Sequence, residues 1–224
     1  MIVKVLVGCE FSQIVTKAFR DRGHEAYSCD LLPTEGNPDW HIQGDVLSIL
    51  NDGWDLGIFH PPCTYLAVSG ARWFKDRLPQ QKEALNFVRM LLNASIPKIA
   101  LENPIGVIST KIRKPDQIIQ PYWFGDEAQK GTCLWLKNLP ELIPTNLVDR
   151  GKIWITKSGK KRGGAWTMCL SPSPERWKIR SRTFKGIANA MAEQWGGVGT
   201  ILGKVSYHYP DCEADQTGHY TCPR

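Results

Sequence analysis

Apolar positions along the chain recur with two different periods, and the switches between them predict its elements. The run IVKVLV at 2–7 is short and β-branched, the pattern of a buried strand. Phe11, Ile14, Val15, Ala18 and Phe19 then return at the spacing of one helical face until Gly23 ends it. EAYSCD at 25–30 predicts a second strand closing on Asp30, and a loop carrying Pro and Gly runs through Trp40. WDLGIF at 54–59 predicts another strand, stopped by Pro61 and Pro62. Ala84, Leu85, Phe87, Val88, Leu91 and Leu92 mark a second amphipathic helix, after which KIALE at 98–102 reads as a strand running into a Glu-Asn-Pro turn. Strands that alternate with helices predict an α/β fold built on a doubly wound, mostly parallel sheet.

Such sheets gather their ligands beyond the carboxyl ends of the strands. Five small or polar segments share that rim: GCEFS after the first strand, Asp30, Gly44-Asp45, HPPC at 60–63 and ENP at 102–104. Cys63 offers a nucleophile as its thiolate, in a loop that Pro61 and Pro62 restrict. Glu102, one strand over, offers a carboxyl that can serve as general acid or hydrogen-bond a heterocycle. Asp30 stands where nucleotide-binding folds of this kind place an acid for ribose hydroxyls, which points to an adenosine-containing cofactor. Each residue alone has a plainer reading: Cys63 as a small buried hydrophobe, Glu102 as part of a turn, Asp30 as a loop cap, Asp45 as the N-cap of a short helix. Their concurrence on one rim favours a site.

Composition narrows the class. A chain of 224 residues suits one domain. No apolar run is long enough to span a bilayer and no charged-then-apolar leader opens the chain, so a soluble, intracellular protein is expected. Seven cysteines, an odd number spread over a chain larger than disulfide-stapled domains, are expected to be reduced, which fits the cytoplasm. A net charge of +6 permits a polyanionic partner without requiring one.

The motifs also carry a resemblance. PPCTYLAVSG resembles the PPCQxFSxxG signature of the DNA methyltransferases that modify carbon 5 of cytosine, and LENPIG resembles their ENV-type motif on the expected later strand. VLVGCEFSQIV, Asp30 and the GDV of 44–46 are similar to the family's cofactor motifs, and QKGTCLWLKNLPEL to its QxRxR strand and the Trp-bearing segment after it. A last helix with Phe184, Ile187, Ala188, Met191 and Trp195 on one face resembles its closing helix. As a whole the chain looks like the short phage and prophage members, closely from residue 2 to about 140, loosely from 180 to 197 and not in the tail.

This resemblance implies a Rossmann-like fold that uses S-adenosylmethionine, in a bacterial or phage-infected cytoplasm. It implies Cys63 as the nucleophile for carbon 6, Glu102 as hydrogen-bond partner and acid at the N3 and amine edge, and Asn103 as an aid in positioning the loop. Pro61, Pro62 and Pro104 would shape the pocket of a flipped or single-stranded cytosine. The implied cofactor contacts are Gly8, Cys9, Glu10, Phe11, Ser12, Asp30, Leu31, Gly44, Asp45, Val46, His60 and Asn189. Two departures stand out. Only Gly8 precedes Phe11 where the family carries several glycines. Lys130 and Thr132 fall on the family's two pocket arginines, but lysine lacks the bidentate fork and threonine the charge, leaving Arg113 or Arg72 to supply it.

The expected organisation is a catalytic and cofactor-binding core over 1–140, a small basic insert over 141–183 in place of a full target-recognition domain, the closing helix over 184–197 and a tail over 198–224. The stretch 151–168 reads as a hairpin whose tip, Lys157, Lys160, Lys161 and Arg162, grips DNA phosphates while Trp154 and Trp166 stack on bases, or else as a solvated basic turn. Arg180 and Arg182 belong to a second basic cluster. So small a module predicts short or relaxed recognition, or help from a second copy or accessory subunit. No metal is expected in the core; His208, Cys212, His219 and Cys222 carry zinc-type donors at a spacing unlike a standard finger, in what also reads as a polar tail. Three functional classes follow: a DNA cytosine methyltransferase, an enzyme of the same scaffold modifying cytosine in RNA or a nucleotide, and a non-catalytic nucleic-acid-binding relative. The paired nucleophile and acid favour the first.

Overall fold

The alternation read from the sequence sorts side chains to two faces of one sheet. Val5, Val7, Leu56, Ile58 and Ala100 join one apolar core, and Leu6, Phe59, Ile99 and Leu101 join the other. The structure, a computed structural model, describes residues 1–151, 153–155, 159, 161–163, 170–197, 213–214 and 220–221. Its elements run β1 (Lys4–Gly8), α1 (Ile14–Arg20), β2 (Glu25–Asp30), β3 (His41–Gln43), β4 (Leu56–Phe59), α2 (Leu78–Leu92), β5 (Lys98–Pro104), α3 (Ile108–Lys111), β6 (Gln117–Ile119) and β7 (Thr132–Lys137). There follow β8 (Ile153–Ile155), β9 (Lys161–Gly163), α4 (Arg176–Ser181), α5 (Lys185–Gly196) and a pair of two-residue strands, β10 (Glu213–Ala214) and β11 (Tyr220–Thr221).

The seven strands β1 to β7 form one sheet in the order β3-β2-β1-β4-β5-β7-β6. The neighbours from β3 to β5 pair in parallel, and β7 runs antiparallel to both β5 and β6. This is a mixed, mostly parallel, Rossmann-like α/β sheet, as expected. Helices α1 and α5 supply the first core, with Phe19, Ile187, Met191 and Trp195; α2 and α3 supply the second, with Leu85, Val88, Leu91 and Ile108. The direction of winding reverses between β1 and β4, and the crevice at such a switch point is where doubly wound sheets bind ligands.

Element boundaries shift for local reasons. The first strand begins at Lys4 because Ile2 is 70% exposed and outside the ladder. Trp54 precedes β4 instead of joining it, buried with its indole N–H donating to the Ile49 carbonyl at 2.7 Å. The closing helix α5 is fastened to the chain after β7: Trp195 donates to the Pro140 carbonyl at 3.0 Å, and Gln194 exchanges two 2.8 Å bonds with the Ile143 backbone. No helix among the described residues is long and apolar enough to cross a membrane.

Candidate active site

Register places the chemistry. Gly8 pairs with Phe59 and Phe59 with Leu101, so the loops that leave β1 and β4 emerge beside Glu102 at the switch point. Gly8 keeps these strands close, because a Cβ there would sit 2.6 Å from the Phe59 ring and 2.7 Å from Val46. Beyond β4, His60 donates its amide to the Gly8 carbonyl at 3.0 Å, Pro61 is buried and Pro62 and Cys63 are exposed. The Cys63 carbonyl accepts from the amides of Leu66 (3.0 Å) and Ala67 (2.9 Å), closing a turn behind the thiol. That turn is laced to the chain after Glu102: Val68 donates to Ile105 and Val107 to Leu66, at 3.1 and 2.9 Å. Gly106 permits the contact, since any Cβ there would collide with the Leu66 carbonyl. Asn103, buried in β5, donates its side-chain amide to the Pro61 carbonyl at 2.8 Å. The Cys63 and Glu102 loops are thus one braced unit.

Within it, His60 Nδ1 lies 2.9 Å from Glu102 Oε2, with side chains 9% and 13% exposed. Burial alone would push the Glu102 carboxyl up, but the His60 hydrogen bond and charge, with Lys130, hold it below the ordinary carboxylate range. Burial would likewise push the imidazole down, but Glu102 and the charge of Glu10 hold it above its usual value. The thiol of Cys63 sits above the ordinary range, raised by desolvation and by Glu102 against the opposing pull of Lys130 and Arg180. Lys130 reaches over this cluster, its ammonium donating to the Arg180 carbonyl at 3.3 Å and lying 5.7 Å from the Phe184 ring centre. Thr132 takes no part: it is buried in β7 opposite Pro104, its hydroxyl donating to the Lys130 carbonyl at 3.2 Å.

The neighbouring loops adjust several expectations. Glu10, expected against a cofactor, is turned inward. Its carboxylate accepts from the amides of Val15 (2.6 Å) and Thr16 (3.1 Å) and from the Thr16 hydroxyl (2.7 Å), capping α1 where the Gln13 side chain does not. The amides of Cys9 and Glu10 both donate to the Cys29 carbonyl, so neither is available to a ligand. Cys9 has φ 60° and a thiol driven far upward by burial, with Asp30, Cys29 and Asp45 adding to it. Phe11 is buried beneath Trp177, ring centres 6.1 Å apart, while Ser12 is half-buried. Asp45 fills the plainer role, capping a 3-10 turn over Val46–Ile49 by accepting from Leu47 at 3.0 Å; Val46 itself is core. His60, expected on the cofactor, faces Glu102. Asn189 is exposed on α5.

Part of the rim remains open. Asp30 engages one carboxylate oxygen, Oδ1, with the Leu32 amide at 2.9 Å and leaves Oδ2 without a hydrogen bond among the described residues. Leu31 beside it is 74% exposed, and a Cβ at Gly44 would meet nothing within 4 Å. A hydroxyl-accepting acid, an apolar face and adjoining free space therefore lie together at the ends of β2 and β3.

Of the basic residues, Arg182 forks onto Glu35 with contacts of 2.8 and 3.1 Å, and Arg180 bears on the Cys63 thiol. The strands β8 and β9 pair antiparallel, as the hairpin reading expects, and carry Trp154, Lys161 and Arg162. Lys157, Lys160 and Trp166 lie outside the described residues, as do His208, Cys212, His219 and Cys222. Arg113 is committed elsewhere, to Asp116 at 2.7 Å and the Leu136 carbonyl at 3.0 Å. Two features escaped the sequence: the His60–Glu102 contact, whose members are 42 positions apart, and the inward turn of Glu10, which resembles any other rim acid. The spacing of Glu10 ahead of Val15 and Thr16 is the one local hint.

No protein-family model matches this chain, and no curated protein matches it. Among solved structures it is similar to an E. coli protein described as a DNA modification methyltransferase encoded within a prophage, at 12% identity and a TM-score of 0.37. The match covers 77% of this chain and 49% of that one, so the chain spans about half the length of that structure.

Proposed function

We propose that this protein is an S-adenosylmethionine-dependent methyltransferase that modifies carbon 5 of cytosine in DNA, with Cys63 as nucleophile and Glu102 as its acid partner. The observation that carries the reading is the bracing of an exposed cysteine loop against a buried carboxyl at the switch point, with Lys130 electrostatically coupled to both. The PPC and ENP motifs on those two loops supply the chemical class.

Carbon 5 of cytosine is a weak nucleophile until a thiolate adds at carbon 6. Cys63 gives up its proton to water and forms the Sγ–C6 bond; N3 takes a proton from Glu102, and the ring becomes an enamine nucleophilic at carbon 5. S-adenosylmethionine supplies an electrophilic methyl group on a sulfonium. Loss of the carbon 5 proton to water and cleavage of the Sγ–C6 bond then restore the aromatic ring and the thiolate, and the N3 proton returns to Glu102. Glu102 must be held edge-on to the base, which the Asn103 and Gly106 bracing of its strand serves. Asp30, Leu31 and the space at Gly44 would hold the adenosine. Because Cys63 must approach a ring face, the base has to leave the stack or start single-stranded.

The test is incubation of the protein and its Cys63→Ala variant with methyl-labelled S-adenosylmethionine and DNA, followed by nucleoside analysis. Label in 5-methylcytosine from the wild type alone supports the reading. Label in RNA cytosine only, or cofactor binding without transfer to any nucleic acid, overturns it in favour of another substrate or a binding role.

A further inference from the structure

The two histidines beside the sheet's rim use their rings differently. His41 employs both nitrogens, Nδ1 with the Ser28 hydroxyl at 2.8 Å and Nε2 with the Leu32 carbonyl at 2.9 Å, as a histidine that fastens a loop should. His60 employs only one. Its Nδ1 meets Glu102 Oε2 at 2.9 Å, while its Nε2 is buried with no hydrogen-bond partner among the described residues. A buried polar atom left unpaired is costly, and where one persists it calls for a reason other than stability. His60 is also bonded in sequence to the Pro61-Pro62-Cys63 loop, so its ring links the nucleophile's segment to the acid's strand.

We propose that His60 is a positioning residue that acts through Glu102, orienting the carboxyl and holding the proton that Glu102 delivers to the substrate base. This deepens the cytosine reading and rests on it. As the Sγ–C6 bond forms, the Nδ1 proton of His60 passes to Glu102 and from it to N3, leaving a neutral imidazole beside an ionised carboxyl. When the Sγ–C6 bond breaks, N3 returns its proton through Glu102 to Nδ1, and the pair ends as it began. The need for such a store is physical. Glu102 is held ionised by its surroundings, so by itself it has no proton to give, and the proton of the pair resides on the ring. The groups that act on His60 are Glu102 on β5, Glu10 on the loop after β1 and Lys130 ahead of β7; the first two favour the charged ring and the third opposes it.

The full-length protein labelled with 15N-histidine provides the test, its His60 signals assigned by their absence from His60→Asn. In the apo protein both His60 nitrogens should be protonated at neutral pH, with a titration midpoint above that of a free imidazole, and Glu102→Gln should lower that midpoint. Asparagine at 60 can still donate a hydrogen bond to the carboxyl but cannot release a proton. His60→Asn should therefore lower kcat for methyl transfer on the order of 10²-fold, leave KM for DNA near wild type, and remove the alkaline limb that follows the His60 midpoint. A His60 ring that stays neutral at neutral pH, or that titrates identically in Glu102→Gln, overturns the proposal, as does a His60→Asn enzyme with the wild-type kcat and pH profile. If the spectra behave as expected but no methyl transfer occurs with any cytosine substrate, the proton-holding pair stands and the cytosine reading falls.

Discussion

The loop after β1 and the end of β5 each bury one carboxyl, Glu10 and Glu102, and both feel the charge of His60. They respond in opposite directions. Glu10 accepts three hydrogen bonds, all from neutral donors, and burial still pushes it above the ordinary carboxylate range. Glu102 has the His60 ring as its hydrogen-bond partner, and burial is overcome by that contact, the ring's charge and Lys130. The number of hydrogen bonds does not decide the state of a buried acid; a cation in contact with it does. One carboxyl serves a helix, and the other is kept charged within a braced loop.

The largest effects should come from removing the charged side of this comparison. Cys63→Ala should abolish transfer, and Glu102→Gln should lower kcat by about 10²- to 10⁴-fold, whereas Glu10→Gln should leave kcat close to wild type in single-turnover assays. A Glu10→Gln enzyme as impaired as Glu102→Gln would erase the distinction. Gly106→Ala should come next. Collision with the Leu66 carbonyl should destabilise the fold by about 1–3 kcal/mol in urea titrations and lower transfer by displacing Cys63 from Glu102. Glu10→Ala, which uncaps α1, should cost about 1–2 kcal/mol in the same titrations.

Proton linkage sharpens the comparison further. Glu102 is lowered, so its contribution to stability is present above the ordinary value of 4.5 and fades as pH falls through its folded value. His60 is raised, so its contribution is full below the ordinary value of 6.5 and fades as pH rises through its folded value. The stability difference between wild type and Glu102→Gln should therefore peak between 4.5 and 6.5 and shrink on both sides, while Glu10→Gln, raised in the parent, should close the gap as pH falls. Urea midpoints across pH would read this directly. The smallest effect belongs to Lys130→Met, which should slow iodoacetamide alkylation of Cys63 about threefold through loss of a nearby cation. Cys29 and Cys133, buried with thiols pushed up to about 11 and about 12, should stay unmodified in the native protein.

Much of this fold follows from local pattern. The β1, β2, β4 and β5 runs and the α1, α2 and α5 faces are periodic enough to place the rim, and the rim brings Cys63 to Glu102 without further information. What escaped depends on partners distant in the chain. β6 is three residues long and borrows its stability from β7, while the 42-residue separation of His60 from Glu102 hides their contact. Glu35 and Arg182 stand 147 positions apart, so nothing local pairs them, and they meet only once α4 is laid across the rim. The capping role of Glu10 escapes for a different reason. Its position marks a ligand loop, and only the missing side-chain cap at Gln13 reveals that the helix needs it more.

The placement of α4 bears on how this scaffold can be rebuilt. Trp177 rests on Phe11, the Arg180 carbonyl accepts from Lys130, and Arg182, just past the helix, grips Glu35, so the short helix is bolted to the core at three separate loops. The β8–β9 ladder, by contrast, pairs with no other strand among the described residues. A chimera that imports another hairpin should splice in between Gly163 and Arg176, leaving the bolts in place. A graft carried through residue 182 would exchange the fittings along with the tool.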